Sequence, residues 1–292
     1  AARVAAAIVP ALFWMLSAPA GSYAQEAVKD RRIALVIGIG AYKNVEGLEN
    51  PANDAGAMKD KLSGLGFEVF SGVDLNKAEF SALITRFKAE ALTSSAALVY
   101  FSGHGFQFQG QNYLVPADAV LKSRGDIETQ TLKLNELISG IQARDRQVLI
   151  FLDACRNNPL PPSQRKNDGL SQVVAENNVF VAFATQPGNV SYDGHSALSP
   201  FTKAVVEHIS VSGKSISDVM ISVRNDVERM TLGQQTPWDQ SSLKKQFYFN
   251  EAEAEGNTVA LANPDIVPGS GISALQRSAS IESGTGIEIG LG

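Results

Sequence analysis

Two residues of this sequence have types and spacing suited to joint chemistry, His104 and Cys155. His104 lies in Phe101-Ser102-Gly103-His104-Gly105, and Cys155 in Leu152-Asp153-Ala154-Cys155-Arg156. Each follows a short apolar run of strand character, and they stand about 50 residues apart, a spacing that suits a cysteine nucleophile whose histidine arrives from a neighbouring strand. A thiol is a weak nucleophile near neutral pH until it loses its proton, and an adjacent imidazole can take that proton or stabilise the thiolate. Gly103 and Gly105 flank the histidine and permit close approach of backbone. A carbonyl under attack also needs N–H donors for its developing oxyanion, and losing one costs on the order of 3 kcal/mol. The backbone N–H groups of Gly105 and Cys155 are the candidates.

Asp153 adds a preference. On an extended segment residues i and i+2 face the same side, so Asp153 is expected to share a cleft with Cys155 while Ala154 faces away. A carboxylate beside the nucleophile favours a cationic group on the substrate, and losing one partner of such a buried pair costs roughly 2–5 kcal/mol. The alternative for Asp153 is a cap or a structural ion pair.

These residues need a frame, and the sequence from Arg31 onward supplies one. Strand runs are expected at Arg32–Ile39, Phe67–Val73, Ala96–Ser102, Gln147–Leu152, Asn178–Thr185 and Gln246–Phe249. Amphipathic helices are expected at Pro51–Leu65, with Asn50 as its N-cap, and at Lys77–Leu92, Leu132–Ala143, Phe201–Ser210 and Ile216–Met230. Phe106–Val115 holds Gly110 and reads as a hairpin, and the proline-rich run Arg156–Gly169 as an exposed loop. Apolar strands alternating with helices imply an α/β fold with a mostly parallel sheet covered on both faces. In such sheets ligands bind beyond the carboxyl ends of the strands, which is where His104 and Cys155 fall.

The N-terminus differs in character. Ala5–Leu16 is continuously apolar, and Ser22-Tyr23-Ala24 follows as an A-x-A-like cleavage site, so residues 1–25 read as a secretory signal peptide and the protein as exported, periplasmic or secreted. The alternative is a membrane anchor, for which the run is short of the 20 or so residues a span needs. No later segment is apolar enough to span. Export bears on Cys155, the only cysteine. Thiols in an oxidising compartment normally pair, so a lone one is inert and buried, linked to another chain, or reactive. Residues 251–292, rich in Gly, Ser, Ala and Asn, read as a disordered tail or linker.

Other chemistries have less support. A net charge of −5 offers no electrostatic case for nucleic acid. Gly38-Ile39-Gly40 after the first strand is two-thirds of a dinucleotide loop, with Lys43 where the third glycine belongs. There is no G-x-S-x-G elbow, no zinc motif, and no signal for an oligomeric state. His195 and His208 read as surface residues.

Taken together these segments resemble the caspase family in the broad sense, closest to the bacterial metacaspase-like proteins. Phe101–Gly105 resembles the family's histidine motif, Asp153–Arg156 its cysteine motif, Phe183–Asp193 the segment that builds the substrate pocket, and Gln235–Phe249 the end of the domain. The resemblance covers about residues 31–250 and implies a three-layer α-β-α sandwich with about six strands, protein or peptide substrates, and a Cys155/His104 dyad that hydrolyses peptide bonds through an acyl-enzyme. True caspases place a glutamine two residues before the cysteine and an arginine near position 193, both serving a substrate aspartate. Here those positions are Asp153 and Asp193, which implies the metacaspase preference for cleavage after Arg or Lys. Arg165 and Lys166 then become candidates for self-cleavage, in the loop that separates the two subunits of caspases. No cofactor is implied beyond the calcium that some metacaspases need, for which Asp118, Asp126 and Glu128 could contribute oxygens, although no EF-hand pattern exists. The rival readings are a catalytically silent relative that binds proteins through the same pocket, and a nucleotide-binding Rossmann-like protein.

Overall fold

The computed structural model describes residues 31–155, 160–161, 163, 169–173, 177–187, 189, 191 and 196–251, with Cys155 described by its backbone. The expected signal peptide and all but the first residue of the expected tail lie outside these. The chain runs through strand β1 (Arg32–Gly38), helix α1 (Pro51–Gly64), β2 (Phe67–Val73), α2 (Lys77–Ala91), β3 (Ala96–Phe108), β4 (Gln111–Leu114), a 3-10 turn (Arg124–Asp126), a short α3 (Ile127–Gln130), β5 (Leu132–Lys133), α4 (Leu134–Ile141), β6 (Gln147–Cys155), β7 (Val179–Phe183), α5 (Pro200–His208), α6 (Ile216–Met230) and β8 (Trp238–Ser241). Among the described residues no helix is long and apolar enough to cross a membrane.

The strands form one sheet in the order β2-β1-β3-β6-β7-β8, with β4 beside β3 and β5 beside β4. Five of the six strands on the main path are parallel, and β8 closes the edge antiparallel to β7. The sheet is therefore eight-stranded where about six strands were expected. One face packs Leu35, Val99 and Ile150 against Phe80, Phe87 and Leu137 of α2 and α4; the other packs Val36, Leu98 and Phe151 against Met58, Phe201 and Val223 of α1, α5 and α6. Both faces being covered explains why the central strands are apolar at every position rather than at alternate ones.

Several boundaries moved for identifiable reasons. β3 continues past Ser102 to Phe108, because β4 folds back on it through Gln109 and Gly110, both at positive φ (51° and 75°), a two-residue type I′ turn. The expected strand at Gln246–Phe249 is a single bridge, Ser215 to Tyr248; Phe247 and Phe249 are buried by side-chain packing instead. The edge strand is the polar Trp238–Ser241, which pairing rather than composition makes a strand. Leu132 and Lys133 pair with β4, so the third expected helix starts at Leu134. Asn50 precedes α1 without a capping bond, whereas Asn76 caps α2 with a full capping box.

The sheet order reverses between β1 and β3: the chain leaves β1 toward β2 on one side, and from β3 runs through β6 to β7 on the other. The crevice at such a switch point, beyond the carboxyl ends, is where doubly wound sheets place their sites. The loop after β1 lies there but is not built for a dinucleotide. A Cβ on Gly38 would stand 2.0 Å from the Pro51 carbonyl oxygen, and one on Gly40 2.5 Å from that of Leu48. The N–H groups of Gly40 and Ala41 both donate to Asp74 Oδ1 at 2.8 Å. The glycines thus admit protein backbone, and donors a phosphate would need are taken by a carboxylate.

Gly38→Ala has no room against backbone and is expected to lose about 3 kcal/mol. Gly56→Ala, in α1 with nothing within 4 Å of the added Cβ, is expected to gain about 0.5–1 kcal/mol. Urea unfolding of both variants checks the pair, and a neutral Gly38→Ala would contradict the packing described.

Candidate active site

His104 does not follow a strand, as its sequence suggests; it lies inside β3 at an irregularity. Ser102 pairs with Asp153 and Gly105 with Cys155, so Gly103 and His104 together oppose Ala154. Two residues against one is a β-bulge, a feature that re-aims a side chain next to functional sites. The bulge sets Gly105 directly opposite Cys155, the last residue of β6. The two backbone positions nominated for an oxyanion are therefore neighbours across one ladder.

The histidine is 6% exposed and held by the loop between β1 and α1. Its Nε2 lies 2.7 Å from the carbonyl oxygen of Glu46. A carbonyl only accepts, so Nε2 carries a proton whether the ring is neutral or charged, and proton exchange falls to Nδ1. The ring also lies against Tyr42, with centroids 4.5 Å apart. A carbonyl fixing one ring nitrogen so that the other can act as base is the orienting role that a third group plays in catalytic triads. Neither Tyr42 nor Glu46 carried a signal in the sequence.

Strand alternation holds through Asp153. Ile150, Leu152 and Ala154 pack on the α2–α4 face, while Leu149 and Phe151 pack on the α1–α5–α6 face. Asp153 points to the second face, fully buried, where Thr202 Oγ1 donates to its Oδ2 at 3.0 Å and the Ser199 hydroxyl donates to the same oxygen. A second carboxylate, absent from the sequence reading, meets the same serine. Asp54 is also fully buried; it accepts from Ser199 N at 2.9 Å and from Ser102 Oγ at 3.1 Å. Ser199 caps α5 as well, accepting from Thr202 N at 2.9 Å. Both carboxylates thus stand at the N-terminus of α5, where the helix dipole favours negative charge. The sequence held one clue to Asp54: it lies in phase with Pro51, Ala55, Met58 and Leu62, an acid within the buried stripe of α1.

Burial, together with the charges of Asp54 and Asp153, raises Tyr100 well above its ordinary value of 10. This phenol shares a hydrogen bond with Thr202 Oγ1.

The other described candidates, Asp118, Asp126, Glu128 and His208, have partners of their own. Asp193, His195, Arg165 and Lys166 lie outside the described residues. Asp118 accepts from Lys77 N, Asp126 from Lys122 N and Ser123 N, and Glu128 pairs with Lys133. Among the described residues no three His, Cys, Asp or Glu side chains cluster as a metal site. His208 is not a simple surface residue: its Nε2 pairs with Asp226 at 2.8 Å in a largely buried contact. A cavity of about 1270 Å3 lined by Arg32, Ala96, Gln147 and Lys245 opens at the amino ends of β1, β3 and β6, away from His104.

A family model described as the caspase domain matches residues 31–248. The chain belongs to the caspase family. That family's proteins are cysteine peptidases acting on protein substrates, so at the family level the domain is a protease-type hydrolase. Among curated proteins, the human mucosa-associated lymphoid tissue lymphoma translocation protein 1 is 26% identical over 233 residues, covering 76% of this chain and 27% of its own length. The mouse homologue is likewise 26% identical, with 26% of its length covered. The chain thus spans about a quarter of these relatives. The crystal structure of caspase-1 from Spodoptera frugiperda superposes with a TM-score of 0.57 at 18% identity, covering 77% of this chain and 92% of that one. The caspase-like α/β fold expected from the sequence is therefore the fold observed.

The raised Tyr100 has a consequence at high pH. The folded state keeps a proton that the unfolded chain releases near pH 10, so this contribution to stability is complete below about pH 10 and is lost above it. Urea unfolding at about pH 9 and pH 11 is expected to show a larger loss for the wild type than for Tyr100→Phe. Equal losses would contradict the buried environment assigned to this phenol.

Proposed function

We propose that the protein is a cysteine endopeptidase that uses Cys155 as nucleophile and His104 as acid and base, and that cleaves after Arg or Lys. The observation that carries the reading is the bulge that puts Gly105 opposite Cys155 while His104 is fixed through Nε2 by the Glu46 carbonyl. In this mechanism Nδ1 of His104 takes the Cys155 proton, and the thiolate attacks the scissile carbonyl. The N–H groups of Gly105 and Cys155 receive the oxyanion. Protonated His104 then gives its proton to the leaving amine, and water, deprotonated by the same ring, releases the acyl group.

The basic preference rests on Asp153 and gains support from Asp54. Two carboxylates on one buried serine, next to the strand end that carries Cys155, form a negatively charged setting suited to a guanidinium or ammonium group. Asp193 would add to it by the ungapped reading of the sequence. We also propose export, on the strength of the apolar run and cleavage pattern within residues 1–25.

Fluorogenic peptides ending in Arg, Lys or Asp, assayed with and without calcium, test the reading. Arg and Lys peptides are expected to be hydrolysed, Cys155→Ala to be inert, and His104→Ala to lose about 10²–10⁴ in kcat. Asp153→Asn is expected to lower kcat/KM for Arg peptides about a hundredfold and Asp54→Asn about tenfold. Turnover of Asp peptides alone would overturn the specificity, and no turnover under any condition would favour a silent, protein-binding relative. If the enzyme cuts itself at Arg165 or Lys166, the intact mass of the wild type will differ from that of Cys155→Ala; identical masses would remove self-processing.

A further inference from the structure

We infer that Tyr42 is the positioning residue for His104, holding both its backbone and its ring. The inference rests on the dyad reading above. The His104 backbone N–H donates to the Tyr42 hydroxyl at 2.7 Å, and that hydroxyl reaches the Val115 carbonyl at 3.4 Å. The Tyr42 ring covers the imidazole at a centroid distance of 4.5 Å and an interplanar angle of 47°. One side chain therefore does two things at the bulge. Its hydroxyl satisfies an N–H of a residue in the irregular stretch of the ladder, and its ring forms a wall against which the imidazole rests.

The surroundings are built to admit this contact. A Cβ on Gly103, where φ is +155°, would stand 2.7 Å from the Tyr42 hydroxyl and 3.0 Å from the Ile39 carbonyl. The glycine before the histidine thus makes room for the phenol as well as for the Ile39 carbonyl. Tyr42 is itself anchored, packing against the core clusters on either side of β3 and β4. Its N–H donates to Gly40 O at 2.9 Å, the next residue's N–H donates to Ala117 O at 2.9 Å, and Asp74 clamps the N–H groups of Gly40 and Ala41. The same loop supplies the Glu46 carbonyl. Tyr42 and Glu46 thus hold the ring from two directions, one against its face and one through Nε2.

Tyr42→Phe keeps the ring and removes the hydroxyl, leaving the His104 N–H without that acceptor; Tyr42→Leu removes both. Misplacement of a general base by about an ångström can cost two orders of magnitude in rate. With an Arg peptide at saturating concentration, kcat is expected to fall about tenfold for Tyr42→Phe and about a hundredfold for Tyr42→Leu, with KM unchanged. Proton NMR supplies a readout independent of turnover, since the chain has three histidines and His104→Ala assigns the signal. The upfield ring-current shift of the His104 imidazole is expected to persist in Tyr42→Phe and vanish in Tyr42→Leu. Wild-type kcat in both variants, a loss confined to KM, or an imidazole signal unmoved in Tyr42→Leu would overturn the inference. Full hydrolysis by His104→Ala would instead overturn the dyad, and the NMR comparison would still judge the contact.

Discussion

The structure turns on one extra residue in a parallel ladder. Between Ser102 and Gly105, β3 spends two residues where β6 spends one. A regular ladder would carry Gly103 opposite Ala154 and His104 opposite Cys155. The bulge delays the register by one, so a glycine meets the cysteine and the histidine is released to the loop after β1. It lies where β3 stops being a buried parallel strand and becomes one arm of a hairpin with β4. The hairpin stabilises the irregularity, because Val115 N–H donates to the His104 carbonyl at 3.1 Å and Tyr42 takes the His104 N–H. Both backbone groups of the displaced residue are satisfied without the β6 ladder.

The second dependence is electrostatic. Burying two carboxylates in one place costs several kcal/mol unless hydrogen bonds and favourable dipoles offset it. Ser102, Ser199 and Thr202 supply those bonds, and the start of α5 supplies the dipole. The arrangement ties three elements together: α1 through Asp54, β6 through Asp153, and α5 through its cap. The two carboxylates are thus part of how α5 docks onto the sheet, and a change in charge there would disturb packing.

Much of this was legible in the sequence, and the parts that were not share a physical cause. The buried strands and the helices α1, α2, α5 and α6 declared themselves because apolar periodicity is a local property. That Asp153 faces away from Ala154 was legible because strand alternation is local too, whereas its full burial against Ser199 and Thr202, in place of an open cleft, was not. The bulge was not, since Ser-Gly-His-Gly has no strand propensity and owes its pairing to β4 and β6. The edge strand Trp238–Ser241 has only polar character beyond its tryptophan and exists through pairing with β7. Tyr42 and Glu46 lie in an irregular loop, and a backbone carbonyl as partner leaves no trace in residue type. Asp54 showed only as a polar residue in an apolar stripe, a clue that gains meaning once Ser199 brings it to Asp153.

The central proposal is a thiolate at Cys155, made by His104, beside carboxylates that select a basic residue. Its most direct measurement is covalent capture. Peptidyl chloromethyl ketones ending in Arg and in Asp, incubated with the wild type and with His104→Ala, would be located by mass spectrometry. The account predicts an adduct on Cys155 from the Arg reagent, little from the Asp reagent, and slow or absent labelling in His104→Ala. Equal labelling by both reagents, or labelling that does not depend on His104, would contradict it.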